Sequence, residues 1–164
     1  MMRVGIAVVC FLVLINPGNI VCAQTLPPPP DKDPFVGTWK ANTNKSQPKL
    51  NDVAASYVRT IAREGDDLLF SSRFRKTHSN SYSANHYRLR CDGLPHRVHC
   101  FESSCTTSCT YVTVNRVEGK TVSQHKTSYW AREVSSDGQE LTIYGYKDKS
   151  RKEIEELEVA DRVK

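Results

Sequence analysis

The cysteines and histidines of this sequence are the residues whose spacing most resembles that of a reactive or metal-binding site. The second half of the chain contains four cysteines, Cys91, Cys100, Cys105 and Cys109. Together with His96 and His99 they could bind zinc, but thiolate zinc sites usually contain Cys-x2-Cys pairs, and the sequence has none. In a secreted protein, an even set of cysteines forms disulfides, and three pairings are open to four cysteines. We therefore predict two disulfides and no metal site.

Histidine chemistry offers a second possibility, a general acid-base pair formed by His86 and His125 with a neighbouring lysine. This pair rests on composition alone, because no motif links the two residues. The sequence also contains no Gly-x-Ser-x-Gly motif, no phosphate-binding loop and no metalloprotease pattern. It gives no support for an enzyme, and we expect a non-enzymatic protein without a cofactor.

Basic residues indicate an anionic partner. Arg73 and Arg75 share one face of a predicted strand, and Arg88 and Arg90 share a face of what we take to be its neighbour. Together they would suit a sulfated glycan or an anionic lipid headgroup, while the alternative is an ordinary solvated face. The formal net charge of +5 is spread along the chain and is too small to require nucleic acid.

The N-terminus indicates secretion. Residues 1–23 combine a short apolar run with an ending suited to cleavage before Gln24, which is the pattern of a secretory signal peptide. The run is shorter than the ~20 residues that span a bilayer, and since no second apolar stretch follows, we expect no transmembrane segment. A Pro-rich extended leader covers residues 24–34 and one domain covers residues 35–164. Asn44 begins an Asn-x-Ser sequon, so Asn44 would be an N-glycosylation site if the source is eukaryotic.

The domain itself shows an alternating hydrophobic pattern and no amphipathic helix, so we predict an all-β protein. In the clearest strand, 68–75, Leu68, Phe70 and Phe74 share one face and the arginines share the other. Further predicted strands, separated by turn residues, cover residues 56–63, 82–90, 110–117, 121–134 and 141–146. Glu118-Gly119 is the predicted turn between two of them. Many short strands with tight turns predict an antiparallel meander barrel or sandwich.

The C-terminal segment, 151–164, is ambiguous. Ile154, Leu157 and Ala160 have helical spacing, whereas Leu157 and Val159 have strand spacing. We favour a closing strand, because an open barrel would leave an edge that this segment can cover.

The cysteines restrict how such a barrel closes. If Asp92-Gly93 is a tight turn and residues 96–101 form a strand of about 20 Å, Cys91 lies too far from a loop carrying Cys105 and Cys109 for a disulfide. Either Cys91 reaches a strand that is not its neighbour in sequence, or the residues after it form a disulfide-stapled loop at the barrel mouth.

The segment Phe35-Val36-Gly37-Thr38-Trp39-Lys40 starts the domain, and it resembles the Gly-x-Trp signature of calycins, the superfamily of lipocalins and fatty-acid-binding proteins. Its continuation through Ser46 also looks like secreted bacterial lipocalin-like domains. The resemblance implies a β-barrel whose end is plugged by Trp39, with Arg162 stacked on the indole ring. The helical lid and the C-terminal Arg-x-Tyr of fatty-acid-binding proteins are missing, so the resemblance does not imply their mode of ligand binding.

Two functional hypotheses follow. The first is a secreted binding module that holds a small hydrophobic ligand inside the barrel, with Trp39, Phe70, Phe74 and Arg162 as ligand-binding or barrel-end residues. The alternative is an extracellular surface or matrix protein that works through its basic face and has no internal ligand. A barrel filled by its own side chains remains open under either hypothesis.

Overall fold

Residues 33–47, 56–75, 81–100 and 103–164 are described by the computed structural model of the protein. The predicted signal peptide and most of the predicted leader lie outside them. The described residues form strands and no helix, which confirms the predicted all-β class. None of them forms a helix long and apolar enough to cross a bilayer. The strands are β1 (Gly37–Ala41), β2 (Val58–Glu64), β3 (Asp67–Arg75), β4 (Tyr82–Arg90), β5 (His96–Cys100), β6 (Ser103–Thr113), β7 (Arg116–Val122), β8 (Thr127–Val134), β9 (Glu140–Tyr146) and β10 (Ile154–Arg162).

The ten strands form one antiparallel sheet in the order β4-β3-β2-β1-β10-β9-β8-β7-β6-β5. Sequence neighbours pair along both arms of this meander, and the pairing of β1 with β10 joins the arms. β4 and β5 follow each other in the chain but form the two edges of the sheet. The sheet therefore curves into a nearly closed barrel with a seam between β4 and β5.

The ambiguous C-terminal segment is a strand, as we favoured. β10 does not cover an edge, however, because it lies between β1 and β9 in the middle of the sheet. Its first residues are exposed, whereas Val159 and Ala160 are buried. The helical spacing of its apolar residues has no structural counterpart.

The predicted boundaries between residues 110 and 134 are wrong. The turns lie at 114–115 and 123–126, and Glu118-Gly119 lies inside β7. Gly119 is needed for space: a Cβ atom there would lie 2.4 Å from the Trp130 ring, which packs against it from β8. This glycine makes room for an aromatic ring and does not mark a turn.

A disulfide joins Cys91, just after β4, to Cys109 in β6, with Cα atoms 4.5 Å apart. Cys105 is disulfide-bonded as well. The expectation that Cys105 and Cys109 lie in a loop is wrong, since β6 returns along β5 and carries Cys109 back to the corner at Cys91. Of the two alternatives, Cys91 therefore reaches a strand that is not its neighbour in sequence. A single bridge between Asp92 and Thr110 ties the same corner to β6.

The inward-facing side chains divide the barrel interior into two halves. Near the turns β2–β3, β6–β7 and β8–β9 the interior is apolar and buried, and we call this the closed half: Phe35, Trp39, Ile61, Leu68, Leu89, Val117, Val134, Leu141 and Ala160. Toward the other end the inward positions become polar, and we call this the open half: Arg59, Ser72, Asn85, Arg132 and Glu158. Polar groups inside a barrel need partners, so the open half is where a site is expected.

Candidate functional site

The closed half is built around Trp39, which is fully buried. Its indole N–H donates to the carbonyl oxygen of Phe35, and the Arg162 guanidinium lies over its ring at 4.1 Å from the centroid. Arg162 also donates to the carbonyl oxygens of Pro34, Val36 and Gly138. Every nitrogen of this guanidinium is therefore engaged, and the arginine ties the entry to β1 to the β8–β9 turn.

Asp33, in the predicted leader, belongs to this closed half. Its buried carboxylate accepts hydrogen bonds from the Phe35 amide, the Arg63 guanidinium and the Tyr111 hydroxyl. Burial raises the pKa of the Tyr111 phenol, and the bond to Asp33 raises it further. The phenol thus stays protonated and donates to Asp33, which links the segment before β1 to β6.

The open half contains Arg132, on β8. Its guanidinium lies over three aromatic rings, at 4.4 Å from the centroid of Phe70, 4.8 Å from Trp130 and 5.7 Å from Tyr87. Nη2 donates to the Tyr87 hydroxyl at 2.8 Å. Nε and Nη1 are buried, yet neither has a hydrogen-bond partner within the described part of the chain. Two strong donors thus point into the barrel with nothing to bind.

A second arginine, Arg59 on β2, faces the same interior and is paired. Its Nη1 lies 2.9 Å from Oε1 of Glu158, on β10, and Nη2 lies 3.5 Å from Oε2. The side chains of Arg59 and Glu158 are only 9% and 21% exposed, so this ion pair is largely removed from water. Ser72, opposite Arg59 in the register, is fully buried, and its hydroxyl has no partner among the described residues.

The two arginines differ in their electrostatics. Burial lowers the pKa of Arg59, but the attraction of Glu158, together with Tyr87 and Tyr57, outweighs it, and the pKa lies above the ordinary value. Burial lowers the pKa of Arg132, and repulsion by Arg59 adds to that effect. Because arginine starts from so high a pKa, both side chains remain cations. Arg132 is therefore a positive charge that no carboxylate of the described residues contacts.

A cavity of about 200 Å³ lies beside Arg132 and behind the seam. Its lining combines apolar and polar side chains from β4 to β8: Asn85, Tyr87, Leu89, Val98, His99, Thr107, Thr121, Trp130 and Arg132. The barrel is thus not completely filled by its own side chains. Since β4 and β5 both contribute to the lining, the cavity lies directly inside the two unpaired edges.

The predicted ligand-binding or barrel-end residues lie in two separate places. Trp39 and Arg162 meet in the closed half. Phe70 stacks on Tyr87 beneath Arg132, and Phe74 stacks on Tyr57 farther toward the open end. Phe70 is therefore the predicted residue that contacts the candidate site.

The four arginines of the predicted basic patch do not lie together. Arg88 and Arg90 are opposite the beginning of β3 and form ion pairs with Asp67, and Arg88 also pairs with Glu64. Arg73, at the other end of β3, lies over the Tyr82 ring. Acidic neighbours thus offset the charge of one half of the expected patch, which sequence spacing does not reveal.

Histidines are scattered over the surface and the seam. His96 contacts the Asp92 carboxylate at 2.8 Å, whereas His86 lies on the outer face of β4 and His125 in the β7–β8 turn. No group of three or more His, Cys, Asp or Glu side chains among the described residues is placed to bind a metal ion. Asn44 is exposed in the turn after β1, where a glycan would have room.

Arg132 and Arg59 were missing from the residues proposed from sequence. A signal was present: Arg132 alternates with Trp130 and Val134, and Arg59 alternates with Ile61, so each arginine sits on the apolar face of its strand. An arginine on an inward face is rarely buried without a reason.

Comparison with known proteins supports the fold alone. No protein-family model matches the sequence, and no curated protein matches it. Among solved structures, the chain is similar to a point mutant of the fluorescent protein UnaG, with 14% identity, a TM-score of 0.55, and 80% of this chain and 97% of that chain covered. A Schistosoma mansoni fatty acid binding protein in complex with arachidonic acid has 14% identity, a TM-score of 0.54 and the same coverage. The fold is that of a calycin-like barrel.

A secretory abundant heat soluble protein from Ramazzottius varieornatus shares this architecture, with 9% identity, a TM-score of 0.52, and 80% and 97% of the two chains covered. All three barrels align over nearly their whole length. At such identities the resemblance extends to strand order and barrel shape, and the site has to be argued from this chain's own residues.

Proposed function

We propose that this protein is a secreted binding protein that holds a small, mainly apolar ligand in the open half of its barrel, with an acidic group of the ligand bound to Arg132. The observation that carries the proposal is the pair of buried Arg132 donors, Nε and Nη1, that lack a partner in the described structure. Leaving buried charged donors unsatisfied is costly, and a ligand carboxylate bound to Nε or to Nη1 would satisfy one of them and supply a negative charge beside the guanidinium.

The surroundings of Arg132 suit the rest of such a ligand. Phe70, Tyr87 and Trp130 surround the guanidinium, and Leu89 and Val98 line the cavity beside it. An apolar body would bury these surfaces while its acidic end meets the arginine. The fatty acid binding protein with a similar barrel was solved in complex with arachidonic acid. That ligand has the chemistry proposed here, an apolar chain that ends in a carboxylate.

The cavity also limits the size of the ligand. At about 200 Å³ it is smaller than the roughly 300–1,000 Å³ typical of pockets for drug-sized ligands. A short aliphatic or single-ring acid therefore fits better than a long-chain fatty acid.

A displacement titration tests this function. Saturated fatty acids of increasing chain length would compete with a fluorescent fatty acid, and we expect the tightest displacement by short or medium chains. Arg132→Met should weaken binding of the acids by about tenfold or more and leave the corresponding alcohols unaffected. Arg97→Met, on the exposed face of β5, is the matched control. Absence of binding by the wild type, or equal affinity in Arg132→Met, would refute the proposal.

Secretion is supported by the disulfide chemistry, which persists in oxidising compartments. The intact mass of the exported protein should begin at Gln24 or its pyroglutamate form, and none of the four remaining cysteines should react with an alkylating agent before reduction. A mass that includes residues 1–23 would contradict this part of the proposal.

The basic-surface alternative now depends on Arg73 and Arg75, which have no carboxylate partner among the ion pairs of the described residues. If they bind an anionic glycan, Arg73→Ser/Arg75→Ser should elute from heparin at lower salt than Arg88→Ser/Arg90→Ser, which removes the same charge. Equal elution of the two variants would reduce this surface to a solvated face.

A further inference from the structure

The polar side chains of the open half form a ring around the barrel at one level. Arg59, Ser72 and Asn85 are directly opposite one another on β2, β3 and β4. On the other side, Arg132 on β8 is opposite Ile143, and Ile143 is opposite Glu158 on β10. The Arg59–Glu158 ion pair bridges the two sides across β1.

The ring contains two positive charges and one negative charge. Glu158 occupies two nitrogens of Arg59, and only Nε of that guanidinium lacks a partner within the described part of the chain. Among the described residues, Arg132 forms no ion pair with a carboxylate, and Nη2 donates to the Tyr87 hydroxyl. Within this ring of described residues, one unit of positive charge thus remains uncompensated.

The two arginines are also electrostatically linked. Arg59 and Glu158 both act on the titration of Arg132, in opposite directions, which places all three charges within interaction range. An anion entering the cavity therefore meets the attraction of two arginines and the repulsion of one carboxylate.

Resting on the function proposed above, we infer that Glu158 is a specificity-determining residue, a built-in carboxylate that fills the second anion position and restricts the barrel to ligands with a single negative charge. A ligand with two charges would leave the second charge facing Glu158 in a medium of low dielectric constant, where repulsion between like charges is strong. Replacing the glutamate by its neutral isostere frees Arg59 for that second charge.

The test compares two ligands of equal chain length: the fatty acid that binds tightest in the displacement series and the corresponding alkyl phosphate, which carries nearly two negative charges at pH 8. We expect the wild type to prefer the carboxylate. Glu158→Gln should shift the ratio of dissociation constants toward the phosphate by about tenfold or more. Glu155→Gln, which makes the same change in net charge on an exposed residue of β10, should not shift it.

A double variant separates charge from shape. Arg59→Met/Glu158→Leu removes the whole pair and leaves one interior positive charge, so it should retain the wild-type preference for the carboxylate. Replacing a buried ion pair by apolar residues is often tolerated, so even where Glu158→Gln fails to fold this variant can refute the role of Glu158 by preferring the phosphate.

Different results would overturn different claims. A ratio that moves by less than about twofold in folded Glu158→Gln, or a double variant that prefers the phosphate, refutes the role of Glu158 while ligand binding stands. A wild type that binds neither compound refutes the proposed function and the role of Glu158 with it.

Discussion

Two arginine–tryptophan pairs lie in opposite halves of the barrel and have opposite characters. Arg162 stacks on Trp39 in the closed half, and its guanidinium also donates to three backbone carbonyl oxygens. Arg132 lies over Trp130 in the open half with two nitrogens unpartnered among the described residues. Both pairs consist of an arginine and a tryptophan, and they differ in how many guanidinium nitrogens have a hydrogen-bond partner. The satisfied donors of Arg162 are typical of a structural role, and the unsatisfied donors of Arg132 are the basis of the proposed binding site.

The largest effect should come from Trp39→Ala. The ring is fully buried, and truncating such an aromatic side chain costs about 3–5 kcal/mol, a large share of the 5–15 kcal/mol typical of a domain. Urea denaturation would measure the change, with Trp130→Ala as its counterpart at the partly exposed site. The contrast between the two halves would be contradicted if Trp39→Ala lowered the free energy of unfolding by less than about 1 kcal/mol, or if the two variants were equally destabilised.

The Cys91–Cys109 disulfide should rank next. It closes a loop with a sequence separation of 18 residues, for which chain-entropy estimates give about 3 kcal/mol. The variant Cys91→Ser/Cys109→Ser should therefore have a lower melting temperature, while Arg132 and its aromatic neighbours on other strands keep their ligand affinity. Thermal melting and the displacement titration on the same sample check both statements. A full loss of binding in the folded variant would show that the disulfide belongs to the site.

The third test replaces Arg162 and Arg132, one at a time, by methionine, which retains most of the aliphatic packing. Arg162→Met removes charged hydrogen bonds to the closed half and should cost about 2–3 kcal/mol. Arg132→Met removes a buried charge without a counter-ion, so its stability should stay within about 1 kcal/mol of the wild type. Chemical denaturation of both variants gives the answer. Equal losses would mean that Arg132 is a structural residue like Arg162.

The smallest effect concerns Asp67, a buried carboxylate at the start of β3. The hydrogen bond from Arg90 lowers its pKa below the ordinary 3.8, and Arg88 adds to the shift. The resulting stabilisation is present above that ordinary value and is lost as the pH falls through the lowered pKa of the folded state. Since both arginines are partly exposed, Asp67→Asn should cost only about 1–2 kcal/mol at pH 7.

Urea denaturation at pH 7, 5 and 2.5 would follow this difference, which should shrink at the lowest pH. Asp66→Asn, at the exposed neighbouring position in the turn, is the control. A difference between Asp67→Asn and wild type that grows on acidification would contradict the assigned direction.

The strands with clean alternation were predictable from sequence, and the interior of the barrel was not. In β3 the inward Leu68, Phe70 and Phe74 alternate with outward Arg73 and Arg75, and turn residues flank β4, so the positions of both strands were predicted correctly. Gly119 misled the prediction because a glycine that makes room for Trp130 looks the same in sequence as a glycine in a turn. Arg132 shares a face with Trp130 and Val134 within the predicted strand 121–134, but the opposite face carries Tyr129 and Ala131, so alternation alone does not show which face is buried. Ion pairing of Arg88 with Asp67 depends on register between strands, which composition does not contain.

The β1–β10 ladder has a consequence for the order of events during synthesis. Val36 and Arg162 are bonded although they lie 126 residues apart, so the first strand of the domain has to wait for the last one before it acquires its second neighbour. Non-local pairing of this kind slows folding and keeps the nascent chain from completing its barrel while translation continues. Until β10 is available, β1 and β9 each lack one neighbour in the sheet, so this ladder is the last place where the two arms of the meander can join.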